Sequence, residues 1–405
     1  MEALLSKTTA IETKFEAFLS SLEEPDWMIE LRKSAFTLLK ETSLPDSKLE
    51  SWRKVNLSNF SLDSLLSTNR KICSFSINTD LIAANEFASV DSFDKVYIES
   101  SFKKLLEKNK ANFFALLNLS FFDIGILTKV PANTSIAEPI QLNVNYPQGE
   151  SSFCPLLIWK LEKFSNASIY EKMNSLPAED FNLINPLSYI EMENGAKSTF
   201  VTIEDFKDST FHFRNLITNQ GLESELKLYH FNLGGYKGKT LVVNDLNGEN
   251  ANIKAIGATT LSKREFQDIE FTISHFASRT DSNLKFKTVV KDKSHHIFTG
   301  NLYIPKASFH VTASQVNNNL TMSRTARAES MPKLEVFADD VKCSHGATVG
   351  EVNAEQLFYL MSRGLTENES RFLIIEGFLK EILDFVTVEE IQNLLITRLT
   401  EKLYN

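Results

Sequence analysis

The hydrophobic rhythm of the chain changes twice. Over the first 45 residues apolar side chains recur at spacings of three, four and seven. Leu4, Leu5, Ile11, Phe15, Phe18, Leu19 and Leu22 fall on one stripe, and Trp27, Leu31, Ala35, Leu38 and Leu39 form a second after Pro25-Asp26. This period predicts two helices, which Pro45 ends, and a short helical patch around Leu62 to Leu66. From about residue 70 to 350 the period shortens. Apolar runs alternate with Asn, Asp, Gly and Ser clusters, as in STFVTIEDF (198–206), ELKLYHFNL (225–233), KTLVVNDL (239–246) and NLKFKTVV (283–290), and these are strand patterns. No long helical pattern separates most of them, which disfavours a βαβ sheet. A sandwich, a propeller and a parallel β-helix all fit, and no clean repeat chooses between them.

Beyond residue 352 the helical period returns with start signals. Asn353 to Gln356 can cap a helix carrying Leu357, Phe358, Leu360 and Met361, and that helix stops before Gly364. Thr366 to Glu369 and Thr387 to Glu390 read as capping boxes, opening helices with Phe372, Ile375, Leu379, Ile382 and Phe385, then Ile391, Leu394, Leu395 and Leu399. Their apolar surface is wider than so small a bundle buries, so part of it is expected to dock on the central region or on another protein. The expected division is a helical domain at 1–70, a β core at 71–352 and a helical domain at 353–405.

With 405 residues the chain has room for a large core, and its net charge of −9 lacks the basic footprint of a nucleic-acid binder. No apolar run is long enough to span a membrane and the N-terminus does not read as a signal peptide, so a cytoplasmic protein is expected. The three cysteines, Cys73, Cys154 and Cys343, are too few and too scattered for a disulfide framework or a CxxC zinc site. Cys73 and Cys154 are expected to be small buried hydrophobes. GGYKGKT (234–240) misses the P-loop spacing by one residue and reads as a hairpin turn. His295-His296 would point to opposite faces of a strand, and His275 and His310 read as structural strand histidines. Neither GxSxG nor HExxH occurs.

One stretch carries chemistry: LEVFADDVKCSHGATVG, residues 334–350. If the strand that enters there continues, Asp339, Val341, Cys343 and His345 share a face, and Cys343 and His345 stand about 7 Å apart along the strand. Thiolate and imidazole suit iron or zinc. Two ligands do not complete a site, so the pair is either a packed cysteine beside a hydrogen-bonded histidine or part of a centre finished by another molecule.

The same stretch, followed by LFYLMSRGL (357–365), resembles the C-terminal signature of the SufB/SufD family of iron–sulfur cluster assembly scaffolds, on its SufD side. The likeness continues upstream through TGNLYIPKASFHVTASQVNNNLTMS (299–323), NDLNGENANIKAIGATTL (244–261) and VPANTSIAEPIQL (130–142), and more weakly in SWRKVNL (51–57). Departures fall at Thr312 to Gln315, Leu320 to Ser323 and Trp52 to Val55; the SufB paralogues carry an EHEA-type stretch where this chain has Cys343 to Ala347. The resemblance implies a mainly β protein, a right-handed parallel β-helix flanked by helical regions. It implies a non-catalytic subunit that pairs with SufB, docks the ABC-type ATPase SufC through its C-terminal helices, and depends indirectly on a cysteine desulfurase or sulfur carrier. A homodimer of the isolated chain is compatible with it. His345 and Cys343 would then sit at the SufB interface and touch a transient iron or iron–sulfur cluster. Phe358, Arg363, Phe372, Ile375, Phe378 and Leu379 would be the ATPase-docking candidates. A purely structural subunit with no ligand role is the alternative.

Overall fold

The computed structural model describes residues 2–66, 74–78, 83–145, 151–175, 180–386 and 389–404. Cys73, the division at 70/71 and the Thr387 end of the third capping signal lie outside them. The core is a parallel β-solenoid of about eight turns. Among the described residues its strands form two sheets, of nine and eleven strands, and from Leu187–Met192 onward successive strands alternate between them. Each coil contributes one strand to each sheet, so parallel neighbours in a sheet are one coil apart. The strand Lys197–Asp205, for example, lies between Asn166–Asn174 and Glu225–Asn232. This resolves the three-way choice left by the strand pattern in favour of the β-helix.

The stacking is marked by the backbone at one corner. Asn133, Phe164, Glu223, Asn250, Arg279 and His310 all have φ between 55° and 57°, and Gly195 has φ 68°; they recur about 30 residues apart. Their amides tie one coil to the next: Phe164 donates to the Asn194 carbonyl, Gly195 to Leu222 and His310 to Asp340. The repeat is therefore one of conformation, and side chains that tolerate or endure the left-handed region mark it better than any consensus. His310, read from the sequence as a strand histidine, is instead one of these corner residues.

Eight helices are described: α1 (Glu2–Ser20), α2 (Asp26–Glu41), α3 (Leu62–Leu65), α4 (Ser92–Lys108), α5 (Phe113–Phe121), α6 (Ala354–Ser362), α7 (Glu367–Leu383) and α8 (Glu389–Tyr404). The first three and the last three fall where the periodicity puts them. Asn353 accepts from the Glu355 and Gln356 amides to start α6, and Thr366 and Glu369 form a full capping box on α7. Helices α4 and α5 interrupt the region read as strands. The run FFALLNLSF is buried along its whole length, so it has no polar face to give a helical period.

The solenoid interior is mainly apolar, from Ile124 and Ile140 through Phe200 and Leu228 to Phe298 and Val311. Its outer faces are partly covered. N-terminal helices pack Ile98, Phe102, Phe114 and Phe121 on the second sheet, against Leu156, Tyr189, Phe211 and Phe213. On the first sheet, α7 and α8 pack Ile375, Leu379, Ile382 and Leu395 against Val201, Ile203, Tyr229 and Ile256. Strands with both faces covered read as near-continuous apolar runs, as PLLIWKL does at 155–161.

Candidate functional site

The last strand of the first sheet, Val341–Glu351, pairs in parallel with Val311–Thr321, and the register sets Cys343 against Ala313 and His345 against Gln315. Among the described residues no strand follows it, so its far edge is open; Arg327–Val336 ends the second sheet in the same way. The opposite end of the solenoid differs. There the short antiparallel strands Ser74–Ile77 and Ala83–Glu86 pair with the first coil and are the outermost strands of the two sheets among the described residues. The chain turns a corner at 337–340, so the strand does not run through from 334 as its alternation suggested. Asp339 therefore lies in the corner rather than on the shared face. Val341, Cys343 and His345 keep the same side by strand alternation. It is the interior side, for Val341 and Cys343 pack against the edge of the core.

Because the coil is the last, that interior side is not closed over. Cys343 is half-buried and His345 is exposed. Burial pushes the Cys343 thiol up, away from the thiolate form that binds metal. Beneath them Gln315 is buried; its Nε2 donates to the Lys333 carbonyl at 3.1 Å, while its Oε1 has no partner. His310 Nδ1 lies 2.7 Å from Asp340 at the neighbouring corner. Among the described residues no group of three or more His, Cys, Asp and Glu side chains could hold a metal ion. The Cys343–His345 pair supplies two donors on an open face.

The tail candidates divide by burial. Ile375 and Leu379 are buried against the first sheet, and Phe372 and Phe378 are half-buried. Phe358 is 74% exposed, and Tyr359, Met361 and Leu373 are exposed beside it. Arg363 is exposed too, its guanidinium 5.2 Å from the Tyr359 ring centroid. A groove between α6 and α7 runs along Tyr359, Leu360, Leu373 and Phe378.

The sequence reading missed a charged cluster inside the solenoid. Arg214 forms an ion pair with Glu171 and lies 3.5 Å from Glu204, and all three are fully buried. Asn232 Nδ2 donates to Glu204 at 2.9 Å, and the His212 and His230 rings approach the same carboxylate at 3.8 and 3.9 Å. Burial raises the Glu204 pKa and lowers that of His212 to about 3. The signal is in FHFRNL, but with the usual sense reversed. Phe211 and Phe213 face the helical layer, so His212 and Arg214 turn inward. GGYKGKT belongs here as well. It is a corner between the sheets and not a hairpin, since the strands it joins do not pair. Gly234 and Gly235 have φ of 130° and 116°, and a Cβ on Gly238 would collide with the His212 ring.

Cys154 is buried as expected. His275 is a satisfied interior residue, bonded to Thr280 and Ser282 at 2.8 and 2.9 Å. His295 points outward to Glu329 and His296 inward to Thr288, so the adjacent pair does face opposite ways. No helix among the described residues is long and apolar enough to cross a membrane.

Comparison with known proteins agrees with this geometry. The family model described as SUF system FeS cluster assembly, SufBD core domain, matches residues 145–378. An iron–sulfur cluster assembly SufBD family protein of Synechocystis is 25% identical over 94% of this chain and 92% of its own length. The iron–sulfur cluster assembly protein SufD of Bacillus subtilis is 22% identical over 98% of this chain and 99% of its own. That of Escherichia coli is 28% identical over 56% and 60%. With its solenoid core and a family match across more than half its length, the chain belongs to the SufB/SufD family of the SUF iron–sulfur cluster assembly system.

Proposed function

We propose that the chain is the SufD-type subunit of a SufB–SufC–SufD scaffold for iron–sulfur cluster assembly, with no catalysis of its own, acting in the cytoplasm. The observation that carries this reading is the asymmetry of the solenoid: short antiparallel strands cap one end, and the other presents the edges of two long parallel strands beside Cys343 and His345. An open edge is a template for pairing with another chain. SufB is the partner proposed for it, and the seam is where iron or a nascent cluster, the cargo of the system, would meet His345 and Cys343 with further ligands from SufB. The exposed Phe358 and Arg363 and the groove beside them support docking of SufC on α6 and α7. Phe372 and Phe378 lie along α7 as secondary contacts, whereas Ile375 and Leu379 act there by holding the helix to the solenoid.

The test is anaerobic co-purification of tagged chain with its partners, followed by cluster reconstitution. His345→Ala should leave the assembly intact and reduce cluster yield about tenfold or more, as expected where a ligand is lost. The alternative, a purely structural subunit, is favoured by the half-buried Cys343 and its raised pKa. It requires Cys343→Ala and His345→Ala to leave cluster yield unchanged.

A further inference from the structure

The stretch SWRKVNL (51–57) lies far from Cys343 and His345 in the chain, yet it reaches the same end of the molecule. Residues 49–55 make two successive tight turns: Trp52 donates to the Leu49 carbonyl at 2.9 Å and Val55 to that of Trp52 at 3.0 Å. Side chains three apart share a face in such turns, so Trp52 and Val55 point together at the outer face of the second sheet. Trp52 stacks on Phe114 with 5.3 Å between ring centroids, and Phe114 on Phe213 with 3.7 Å. Val55 is buried against Phe266 and Ile297, and Lys237 Nζ donates to the Asn56 carbonyl at 2.8 Å. Phe213, Lys237, Phe266 and Ile297 belong to four neighbouring strands of that sheet.

The next strand in this series is the last, Arg327–Val336. Its outward side chains recur with period two, and three in succession meet the same segment. Glu329 pairs with Lys54, Met331 packs against the Val55 cluster, and Lys333 Nζ donates to Glu50 at 3.0 Å. His295 of the preceding strand also bonds Glu329, at 2.8 Å. Exposed ion pairs are individually weak, so the buried Val55 is the main anchor and the two pairs fix the strand beside it. The outward row on the last strand of the first sheet is uncovered: Lys342, Ser344 and Thr348 are exposed. A terminal strand has one neighbour in its sheet, so little else opposes its fraying. The held strand also touches the seam through its backbone, because the Lys333 carbonyl accepts from Gln315, the register partner of His345. We propose that residues 49–57 are a strap that holds Arg327–Val336 in place for a strand of another chain to pair with its edge, with Glu50, Lys54 and Val55 as positioning residues. The pairing rests on the open-end reading above; the strap itself does not.

The experiment is hydrogen exchange on the intact chain, comparing 327–336 with 341–351, the strand that carries no strap. Reversing both strap charges, Glu50→Lys with Lys54→Glu, sets like charges against Lys333 and Glu329 and should speed exchange over 327–336 about fivefold, leaving 341–351 as in the parent. Adding Glu329→Lys and Lys333→Glu pairs the charges again and should restore the parent rate, which a general loss of stability would not allow. Val55→Ala, which loosens the strap with no change of charge, should speed the same segment. None of these readings needs a partner. In co-purification, recovery of SufB should fall with the reversed strap and return in the quadruple variant, whereas a direct contact of Glu50 or Lys54 with SufB would not be rescued in this way. Unchanged exchange over 327–336 in both variants, or equal acceleration of the two strands, overturns the strap. Faster exchange with SufB recovery unchanged overturns its positioning role. Failure of the parent chain itself to recover SufB counts against the open-end reading alone.

Discussion

The histidines inside the solenoid set how the fold responds to acid. His212, His230, His275 and His296 are fully buried. Burial lowers the pKa of His212 and His296 to about 3 and of His275 to about 4, and holds that of His230 well below its ordinary value. In the unfolded chain each would titrate near 6.5. Below that pH the unfolded state therefore binds protons that the folded state refuses, and stability present at neutral pH is lost as pH falls. Between pH 7 and 5.5 each histidine contributes a loss of about 1 kcal/mol, several in all. Glu204 opposes this, as do Glu265, Asp268 and Asp281, since burial raises their pKa and so favours the folded state in acid, and the comparison with a histidine variant is what isolates the histidine contribution. Urea unfolding at the two pH values should show the midpoint falling in acid, with a shallower fall in a His275→Gln variant. A midpoint independent of pH over this range would show that these rings are reached by water. His275 was legible from sequence as a structural residue. His212 and His230 were not, because an alternating strand places its polar residues outward unless a second apolar layer lies outside it.

Among the elements, α8 is held by ion pairs as much as by its apolar stripe. Lys402 Nζ donates to both Glu265 oxygens at 2.8 and 2.7 Å and to the Thr260 carbonyl, and Arg398 donates to Asp205. Lys402 and Glu265 are almost completely buried at the Gly234 corner. Lys402→Met leaves a buried carboxylate unpaired, which costs about 3 kcal/mol, less what Glu265 recovers by taking up a proton. Hydrogen exchange should rise across 389–404 while the solenoid strands keep their protection, and the double variant Lys402→Met/Glu265→Leu should restore much of the loss. Equal exchange in the single variant and the parent would show that apolar packing alone holds the helix. The terminal helices and most strands were legible because each carries a period or a cap in its own residues. The solenoid itself was not, because its repeat lies in the left-handed corner residues, and Asn, Phe, Glu, Arg and His all occupy that corner. The α4–α5 pair was hidden for a different reason: a helix with no solvent face has no amphipathic signature.

The whole molecule has one finished end and one unfinished end, and that difference makes a prediction independent of which partner binds. At the covered end, Ser74–Ile77 and Ala83–Glu86 pair with the first coil. At the other, Val341–Glu351 and Arg327–Val336 expose their edges together with Val349, Leu334 and Phe337. Burying the last coil under a second chain would extend both sheets and cover these side chains at once, whereas water must otherwise solvate an apolar coil end. A lysine at the edge is the usual means by which a β protein avoids such pairing. Val349→Lys with Leu334→Lys should therefore keep the chain folded, since neither side chain is buried, yet abolish association through this end. In sedimentation measurements on the purified chain, any self-association of the parent should disappear in the double variant, and so should capture of SufB in the co-purification. Phe358→Glu on α6 should spare both and weaken only ATPase recovery. If the edge lysines left association untouched, the coil end would not be the contact, and the ligand role proposed for Cys343 and His345 would lose its basis.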